Sequence, residues 1–270
     1  MNRDICAFVI SILLMAAPHI SPADTFNPSK FHLIDLTYAF NEETIYWPTA
    51  PTTFELKKLA YGQTGKGYFY AAYAICAPEH GGTHLDSPIH FSEGQRTTDQ
   101  IPLQQFMAHA VVIDVSTQAA IDRDYRLTRQ DVLEFEAKHG VIEPGTIVLL
   151  RTGWGEFWPD RKAYLGDDTP GDVSKLHFPG YGEAAARLLV GERKVSVLGA
   201  DVASIDYGQS KDFPVHRLAA ENNVLGLESL ANLERLPARG AVVIALPMKI
   251  EGGSGGPVRA IALLPSEGGP

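Results

Sequence analysis

The chain has 270 residues, with 23 basic and 32 acidic side chains and a formal net charge of −9. Apolar residues make up 45% and charged residues 20%, which is the composition of a globular protein rather than a disordered or fibrous one. Because phosphate recognition needs a basic surface, the charge argues against a general nucleic-acid or anionic-membrane binder. The two cysteines are too few for a disulfide scaffold.

The first 23 residues have the pattern of an export signal. An apolar run from Ile5 to Ala17 follows a short polar start, and it is too short to span a bilayer, which takes about 20 apolar residues. Small residues at positions 21 and 23 are typical of a cleavage site. We therefore predict a signal peptide over 1–23 and a mature domain over 24–270 that is periplasmic or secreted and not membrane-bound. A buried N-terminal helix or a retained anchor is the alternative.

The mature chain contains short apolar runs separated by turn-forming residues. Strands are predicted, in chain order, at 31–37, 68–76, 110–115, 146–151, 195–200, 241–246 and 259–264, and a short apolar segment covers 224–227. Helices are predicted at 128–138, 181–192 and 214–221, the first with a capping pattern at its start. Strands and helices mix without strict alternation, so we expect one α/β domain with a mixed β-sheet.

Two further segments are singled out by their aromatic residues. The run 68–76 predicts a buried strand, and its apolar character predicts that Cys76 is a buried, inert thiol. The loop 155–180 is long for a compact domain and is predicted to be functional or to form an ordered cap.

The densest cluster of potential metal ligands lies between His80 and His90. Three histidines and one aspartate fall within these eleven residues, and imidazole nitrogens with a carboxylate suit Zn, Mn or Fe. The glycines at 81 and 82 permit a sharp turn, while His84 and Asp86 share a face of an extended segment. We predict that His80, His84 and Asp86 bind one ion. A structural zinc is normally closed by four ligands, so an open three-ligand site favours catalysis.

The same segment resembles the signature of the cyclase family of metal-dependent hydrolases, which includes isatin hydrolases and bacterial kynurenine formamidases. The matching residues are His80, Gly82, Thr83, His84, Asp86, Pro88, His90 and Phe91. Weaker similarities lie at 34–37, 150–154 and 199–206. The resemblance implies the family's swivelling β/β/α fold and a homodimer, with the isatin hydrolase branch favoured.

The resemblance also implies roles for residues outside this segment. His216 and Glu228 fall where the family keeps a second histidine and a glutamate near the metal. In two-metal members, the equivalents of Asp86, His90, His216 and Glu228 hold a second ion. In the isatin hydrolase branch one ion is expected, manganese rather than zinc, and His90 and His216 would transfer protons.

Several residues are candidates for contact with the substrate. The aromatic side chains of Tyr46, Trp47, Phe54 and Trp154 could stack on a planar substrate, although core packing is an equal alternative for each. Ser229 could hold a proton-conducting water. The glycine-rich segment 252–256 lacks the lysine of a phosphate loop, and a flexible turn near the active site is expected instead.

Together these residues predict a metal-dependent hydrolase of a cyclic or aryl amide. Asp86 is a ligand and a candidate proton acceptor, while His90 or His216 would return the proton to the leaving nitrogen. We expect isatin to be opened to isatinate, because the export signal, the aromatic loop 155–180 and the segment 209–229 favour that branch. N-formylkynurenine is the alternative substrate. A non-catalytic exported binding protein and a metal-dependent lyase are the alternative classes.

Overall fold

The computed structural model describes residues 28–266. Its strands are β1 (Phe31–Asp35), β2 (Glu55–Gln63), β3 (Phe69–Cys76), β4 (His84–Asp86), β5 (Met107–Asp114), β6 (Arg126–Leu127), β7 (Ile147–Arg151), β8 (Gly180–Tyr181), β9 (Val197–Ala200), β10 (Leu225–Glu228), β11 (Arg239–Pro247) and β12 (Gly255–Pro265). Its α-helices are α1 (Ser116–Ile121), α2 (Arg129–His139), α3 (Arg161–Leu165), α4 (Glu183–Ala186) and α5 (Pro214–Glu221). Helix α4 continues as a wider helical turn to Glu192.

The main sheet has eight strands in the order β1-β12-β11-β5-β7-β9-β10-β4. It closes on itself because β12 pairs with β11 along one part of its length and with β4 along another. Strands β5, β7, β9 and β10 are parallel to their neighbours in that run, and the remaining pairings are antiparallel. The result is a mixed, barrel-like sheet whose last join is the three-residue strand β4.

The hydrophobic core occupies both faces of this sheet. In β7, Val148 and Leu150 pack with residues of the helices, whereas Ile147 and Leu149 pack inside the closed sheet. Strands that are buried on both faces are continuous apolar runs, which is the pattern that predicted β7 from the sequence.

The prediction of a single α/β domain with a mixed sheet is confirmed. Each predicted strand is present with small shifts at its ends, and 224–227 contributes to β10. Helix α2 begins after Thr128, whose side chain accepts a hydrogen bond from the backbone N–H of Asp131 at 3.1 Å. Closure of the sheet was not predicted, because β4 is too short to be recognised by a periodic pattern.

The prediction of a buried strand at 68–76 is wrong about burial. Strands β2 and β3 pair only with each other, apart from the main sheet. Phe69 is 52% exposed, Ile75 is 70% exposed, and Cys76 is an exposed free thiol rather than a buried one. Apolar composition indicates a surface that needs a cover, but it does not indicate whether the same chain supplies that cover.

The loop 155–180 is an ordered cap, which is one of the two alternatives predicted from the sequence. It contains α3, and Tyr164 and Phe178 within it are fully buried. Trp158 stacks on Tyr38 with ring centroids 4.2 Å apart. The loop therefore contributes to the core instead of lying free over the surface.

The predicted export signal, 1–23, lies outside the described residues and stays a prediction. Between residues 28 and 266, every helix falls short of the length and apolar character needed to cross a membrane.

Candidate metal centre

Two overlapping groups of potential metal ligands lie where β4 meets β10. His80, His84 and Asp86 form one group, and Asp86, His216 and Glu228 form the other; within each group the ligand atoms are within 4.8 Å of one another. The first group was predicted from its spacing in the chain. The second is assembled by folding, because the antiparallel pairing of β4 and β10 puts Glu228 opposite His84.

The Asp86 carboxylate is at the centre of both groups. Its Oδ1 lies 2.6 Å from Nδ1 of His80 and 3.3 Å from Nε2 of His84, and its Oδ2 lies 3.2 Å from Nε2 of His216. Glu228 contacts the same two imidazoles, with 3.0 Å to Nε2 of His216 and 3.4 Å to Nε2 of His84. Three imidazoles and two carboxylates therefore face one another, and all of these side chains except the partly exposed His80 are buried.

Hydrogen bonds on the outer side of each ring determine which nitrogen is directed inward. Nδ1 of His84 faces the Gly82 carbonyl at 3.0 Å, and Nδ1 of His216 faces Oδ2 of Asp206 at 2.7 Å, so both rings direct Nε2 inward. Nε2 of His80 faces the Ser254 hydroxyl at 2.9 Å, which directs Nδ1 inward. Metal-binding histidines are held in this way, and these residues therefore fit a divalent ion.

Glycines allow this loop to fold tightly. Gly81 has a φ of +154°, and a Cβ at that position would lie 2.1 Å from the ring of Tyr46. At Gly255, on β12, a Cβ would lie 2.6 Å from Cε1 of His80. A side chain at either position would displace Tyr46 or His80, which is why glycine occupies both.

Burial and charge act in opposite directions on these groups. Burial alone would lower the pKa of His84, but hydrogen bonding and the charges of Asp86 and Glu228 raise it to about 9. Burial would raise the pKa of Asp86, yet His80 and His216 hold it well below its usual range. A divalent ion here takes the place of a proton, so its binding weakens as the pH falls.

His90 lies beside the two groups without belonging to either. Its ring stacks on that of His80, with centroids 3.8 Å apart and an interplanar angle of 15°. Burial lowers the pKa of His90 to about 4, so the ring is neutral at pH 7. A neutral imidazole with so low a pKa holds a proton weakly, so it is suited to pass a proton on and not to retain it.

These groups line a cavity of about 240 Å³. Its other walls are mainly aromatic and apolar, formed by Ile45, Tyr46, Trp47, Phe91, Ala203 and Phe213. No arginine or lysine among residues 28–266 lines it. The hydroxyl of Tyr46 is buried there without a hydrogen-bond partner. Such a cavity fits a small, planar and largely apolar molecule.

A second cavity, of about 710 Å³, opens beside the carboxyl ends of β7 and β9. It is larger, but its buried carboxylate, Asp201, accepts hydrogen bonds from Thr152 and Gly153. Burial raises the pKa of Asp201 to about 6, and no group of metal ligands in the described chain lies there. We therefore assign the chemistry to the smaller cavity, where the titratable groups converge.

A family model named Cyclase matches residues 34–207. The chain belongs to the cyclase family. The isatin hydrolase of Roseibium aggregatum is 39% identical over 207 residues, which cover 74% of this chain and 77% of that protein. The kynurenine formamidase of Salinibacter ruber is 31% identical over 186 residues, covering 67% of this chain and 74% of that one.

Solved structures agree with this family assignment. An isatin hydrolase bound to the product analogue thioisatinate superposes with a TM-score of 0.81 and 34% identity, covering 88% of this chain and 94% of that one. The predicted enzyme class, a cyclase-family hydrolase that acts on amide bonds, is confirmed by these relatives.

Three of the five predicted substrate-binding residues of this cyclase-family hydrolase line the smaller cavity, beside the candidate metal ligands. They are Tyr46, Trp47 and Ser229. Phe54 instead packs near Phe40, with ring centroids 5.8 Å apart. Trp154 lines the second cavity, where its indole N–H donates to the carbonyl of Tyr164 at 2.9 Å. Aromatic character was thus an insufficient criterion for contact with the substrate.

Three residues behind the ligands were missed. Asp206 holds His216 and also accepts the backbone N–H groups of Val215 and His216 at the start of α5. Glu79 accepts hydrogen bonds from the Ser254 hydroxyl at 2.6 Å and the Ser254 backbone N–H at 3.1 Å. A glutamate directly before His80 was the one available signal in the sequence.

Ser254 lies in the glycine-rich segment 252–256, which is close to the site as expected. It is not in a free turn, because Gly255 and Gly256 begin β12 and pair with β4. Since its hydroxyl donates to Glu79, its oxygen accepts the Nε2 hydrogen of His80. The order Glu79, Ser254, His80 therefore fixes the orientation of the ring, with Nδ1 directed toward Asp86.

Replacing Ser254 by alanine is expected to lower the affinity for a divalent ion by about 10–100-fold, the usual effect of losing an outer partner of a ligand histidine. Competition with a chromogenic chelator measures this affinity. Ser254→Thr, which keeps a hydroxyl, should recover most of it. Ser196→Ala is a matched control, because that hydroxyl binds the Gly145 carbonyl away from the site. Unchanged affinity in Ser254→Ala would show that the hydrogen bond from Ser254 does not support His80.

Proposed function

We propose that this cyclase-family enzyme hydrolyses isatin to isatinate. The observation that carries the proposal is the aromatic cavity without arginine or lysine beside the ligands. Isatin is a neutral, planar bicyclic amide that such walls can cover. N-formylkynurenine carries a charged amino-acid group, and burying that charge without a partner would be costly.

The relatives also favour isatin over N-formylkynurenine as the substrate. Isatin hydrolase is the name of the relative at 39% identity, and isatin hydrolase bound to a product analogue is the solved structure at a TM-score of 0.81. The relative at 31% identity is named kynurenine formamidase, which keeps hydrolysis of N-formylkynurenine as the second candidate.

We propose that His80, His84 and Asp86 hold one divalent ion, with manganese favoured over zinc. Mixed imidazole and carboxylate donors suit both metals. When bound, such an ion polarises a carbonyl and lowers the pKa of a bound water towards about 7. His216 and Glu228, which share Asp86 with the first group, are the candidate ligands of a second ion.

The protein's own groups then handle the proton. Both oxygens of Asp86 contact imidazoles, which leaves the neutral ring of His90 free to relay the proton that the water loses. The water oxygen bonds to the amide carbon, the carbon–nitrogen bond breaks, and the proton passes to the leaving nitrogen. Asp206 and the two carboxylates keep the pKa of His216 well above its usual range despite burial, so His216 is suited to donate a hydrogen bond to developing negative charge.

A side-by-side assay of isatin and N-formylkynurenine at equal enzyme and Mn²⁺ concentrations tests this proposal. We expect the kcat/KM for isatin to be at least about tenfold higher than that for N-formylkynurenine, which corresponds to a difference of about 1.4 kcal/mol in activation free energy. Brisk formamidase activity without isatin opening would reverse the ranking. Including lactones and 2-hydroxy acids tests the lyase alternative, and tight binding of isatin without turnover of any compound would indicate a binding protein.

A further inference from the structure

The larger of the two cavities, of about 710 Å³, has no part in the proposed hydrolysis. It lies at the carboxyl ends of β7 and β9, where Thr152 and Asp201 directly follow the strands. In sheets of parallel strands, this end is where ligands commonly bind. The volume falls within the range of about 300–1,000 Å³ that is usual for ligand pockets. The position and the size of the cavity therefore suit a small molecule.

Arg151 supplies one fixed positive charge to this cavity. It is the last residue of β7, and its Nη1 donates a hydrogen bond to Oδ2 of Asp114 at 2.6 Å. Its Nε is buried without a hydrogen-bond partner in the described chain. A guanidinium presents several N–H donors in a planar fork that matches a carboxylate. Arg151 therefore keeps donors that the protein does not use.

Arg123 supplies a second fixed positive charge, close to the end of α1. Its Nη2 donates to the carbonyls of Ala163 at 2.7 Å and His177 at 3.3 Å. Its Cζ lies 4.8 Å from the ring centroid of Trp154. These hydrogen bonds use Nη2 alone, so the guanidinium is held in place while its other nitrogens stay free of them. A ligand that meets a group already held in place loses less entropy on binding.

Negative charge lies in another part of the same wall, beside Tyr38. Burial, and then the charges of Asp201 and Glu234, raise the pKa of Tyr38, so both carboxylates lie near its ring. Glu234 is exposed, as is a further acidic residue of the lining, Glu156. With three carboxylates against two guanidinium groups, the cavity is unsuited to a simple anion.

The two signs of charge in this cavity do not neutralise each other. In the part of the chain that the structure describes, no carboxylate of the lining forms an ion pair with Arg123 or Arg151, and the partner of Arg151 is Asp114. A ligand that carries both a carboxylate and an ammonium group would satisfy both kinds of charge. The remaining side chains of the wall are mainly apolar: Ala119, Ala120, Trp154, Phe157, Leu230 and Leu233.

We propose that the larger cavity binds a free α-amino acid with an aromatic side chain. Its carboxylate is bound by Arg123 and Arg151, its ammonium group lies toward Glu234, and its ring packs on the apolar wall that includes Trp154. The proposal concerns binding at a site that contains none of the candidate metal ligands. It therefore depends neither on the substrate nor on the metal.

Isothermal titration calorimetry of the full chain with three related compounds tests the ligand class. We expect L-phenylalanine to bind with a Kd below about 1 mM. 3-Phenylpropionate lacks the ammonium group and 2-phenylethylamine lacks the carboxylate, so each should bind at least about tenfold more weakly, the usual effect of losing a charged hydrogen bond. Absence of L-phenylalanine binding, or equal binding of either analogue, would overturn the proposal.

Two variants test the location by different means. Arg151→Met removes one carboxylate partner and should weaken L-phenylalanine binding at least about tenfold. Ala120→Trp keeps every charge and fills the cavity from an exposed position on α1, and it should abolish binding while leaving amide hydrolysis unchanged. Arg129→Met is the matched control, because Arg129 pairs with Glu192 at 2.7 Å and does not line the cavity. Unchanged affinity in either variant, with unchanged circular dichroism, would place the amino acid elsewhere and overturn the proposal.

Discussion

Replacing His84 by alanine is expected to abolish metal binding and turnover together. Nε2 of His84 lies between Asp86 and Glu228, at 3.3 and 3.4 Å, so this imidazole links both ligand groups. Its loss removes one ligand and leaves two buried carboxylates with fewer donors between them. We expect a drop in ion affinity of more than about 100-fold, beyond the effect of losing an outer partner.

Metal analysis after dialysis, paired with an amide-hydrolysis assay, measures both effects. The wild-type ratio of ion to chain also tells one bound ion from two. His109→Ala is a suitable control, since His109 lies exposed on β5, and it should retain metal and activity. A His84→Ala protein that keeps one ion per chain and full turnover would contradict the ligand assignment. Full activity of the wild type after metal removal would contradict metal dependence altogether.

Replacing His90 by asparagine is expected to lower kcat by about 10²–10⁴-fold, the contribution of a positioned acid or base, while the ion is retained. His90 stacks on His80 and belongs to neither ligand group. Burial lowers its pKa to about 4, so the ring is neutral at pH 7 and readily releases any proton that it receives. We therefore expect the substitution to lower kcat much more than the amount of bound metal.

The test compares kcat, KM and ion content for His90→Asn, with His109→Asn as the control. Loss of the ion along with activity would instead make His90 a ligand, as in two-metal members of the family. A kcat within about threefold of wild type would assign the proton transfer to another group, and His216, 3.2 Å from Asp86, is the first to examine.

The first candidate ligand group could be predicted from the sequence because its three residues lie close together in the chain. His80, His84 and Asp86 fall within seven residues, and glycine at 81 and 82 has the positive φ that the tight turn requires. Spacing in an extended segment directly predicts which side chains share a face. The family resemblance then located His216 and Glu228, which spacing could not do.

The distant part depended on pairings that no local pattern specifies. Asp86 and His216 are 130 residues apart in the chain, and Glu228 reaches His84 only through the register of β10 against β4. Ser254 reaches His80 because the start of β12 pairs with β4, while the following residues pair with β11. For the same reason, the sequence did not predict that Phe213 lines the smaller cavity or that Trp154 lines the larger one.

By itself, the sequence determined the class of fold, the three side chains of the first candidate ligand group and, through resemblance, the type of chemistry. These depend on side-chain identity at short spacing and on apolar periodicity. Only the tertiary structure decided which aromatic residues line the cavity of the two candidate ligand groups, which outer groups orient their histidines, and that the strand at 69–76 is exposed. Burial is a property of what surrounds a residue, and for strands β2 and β3 the described chain does not supply those surroundings.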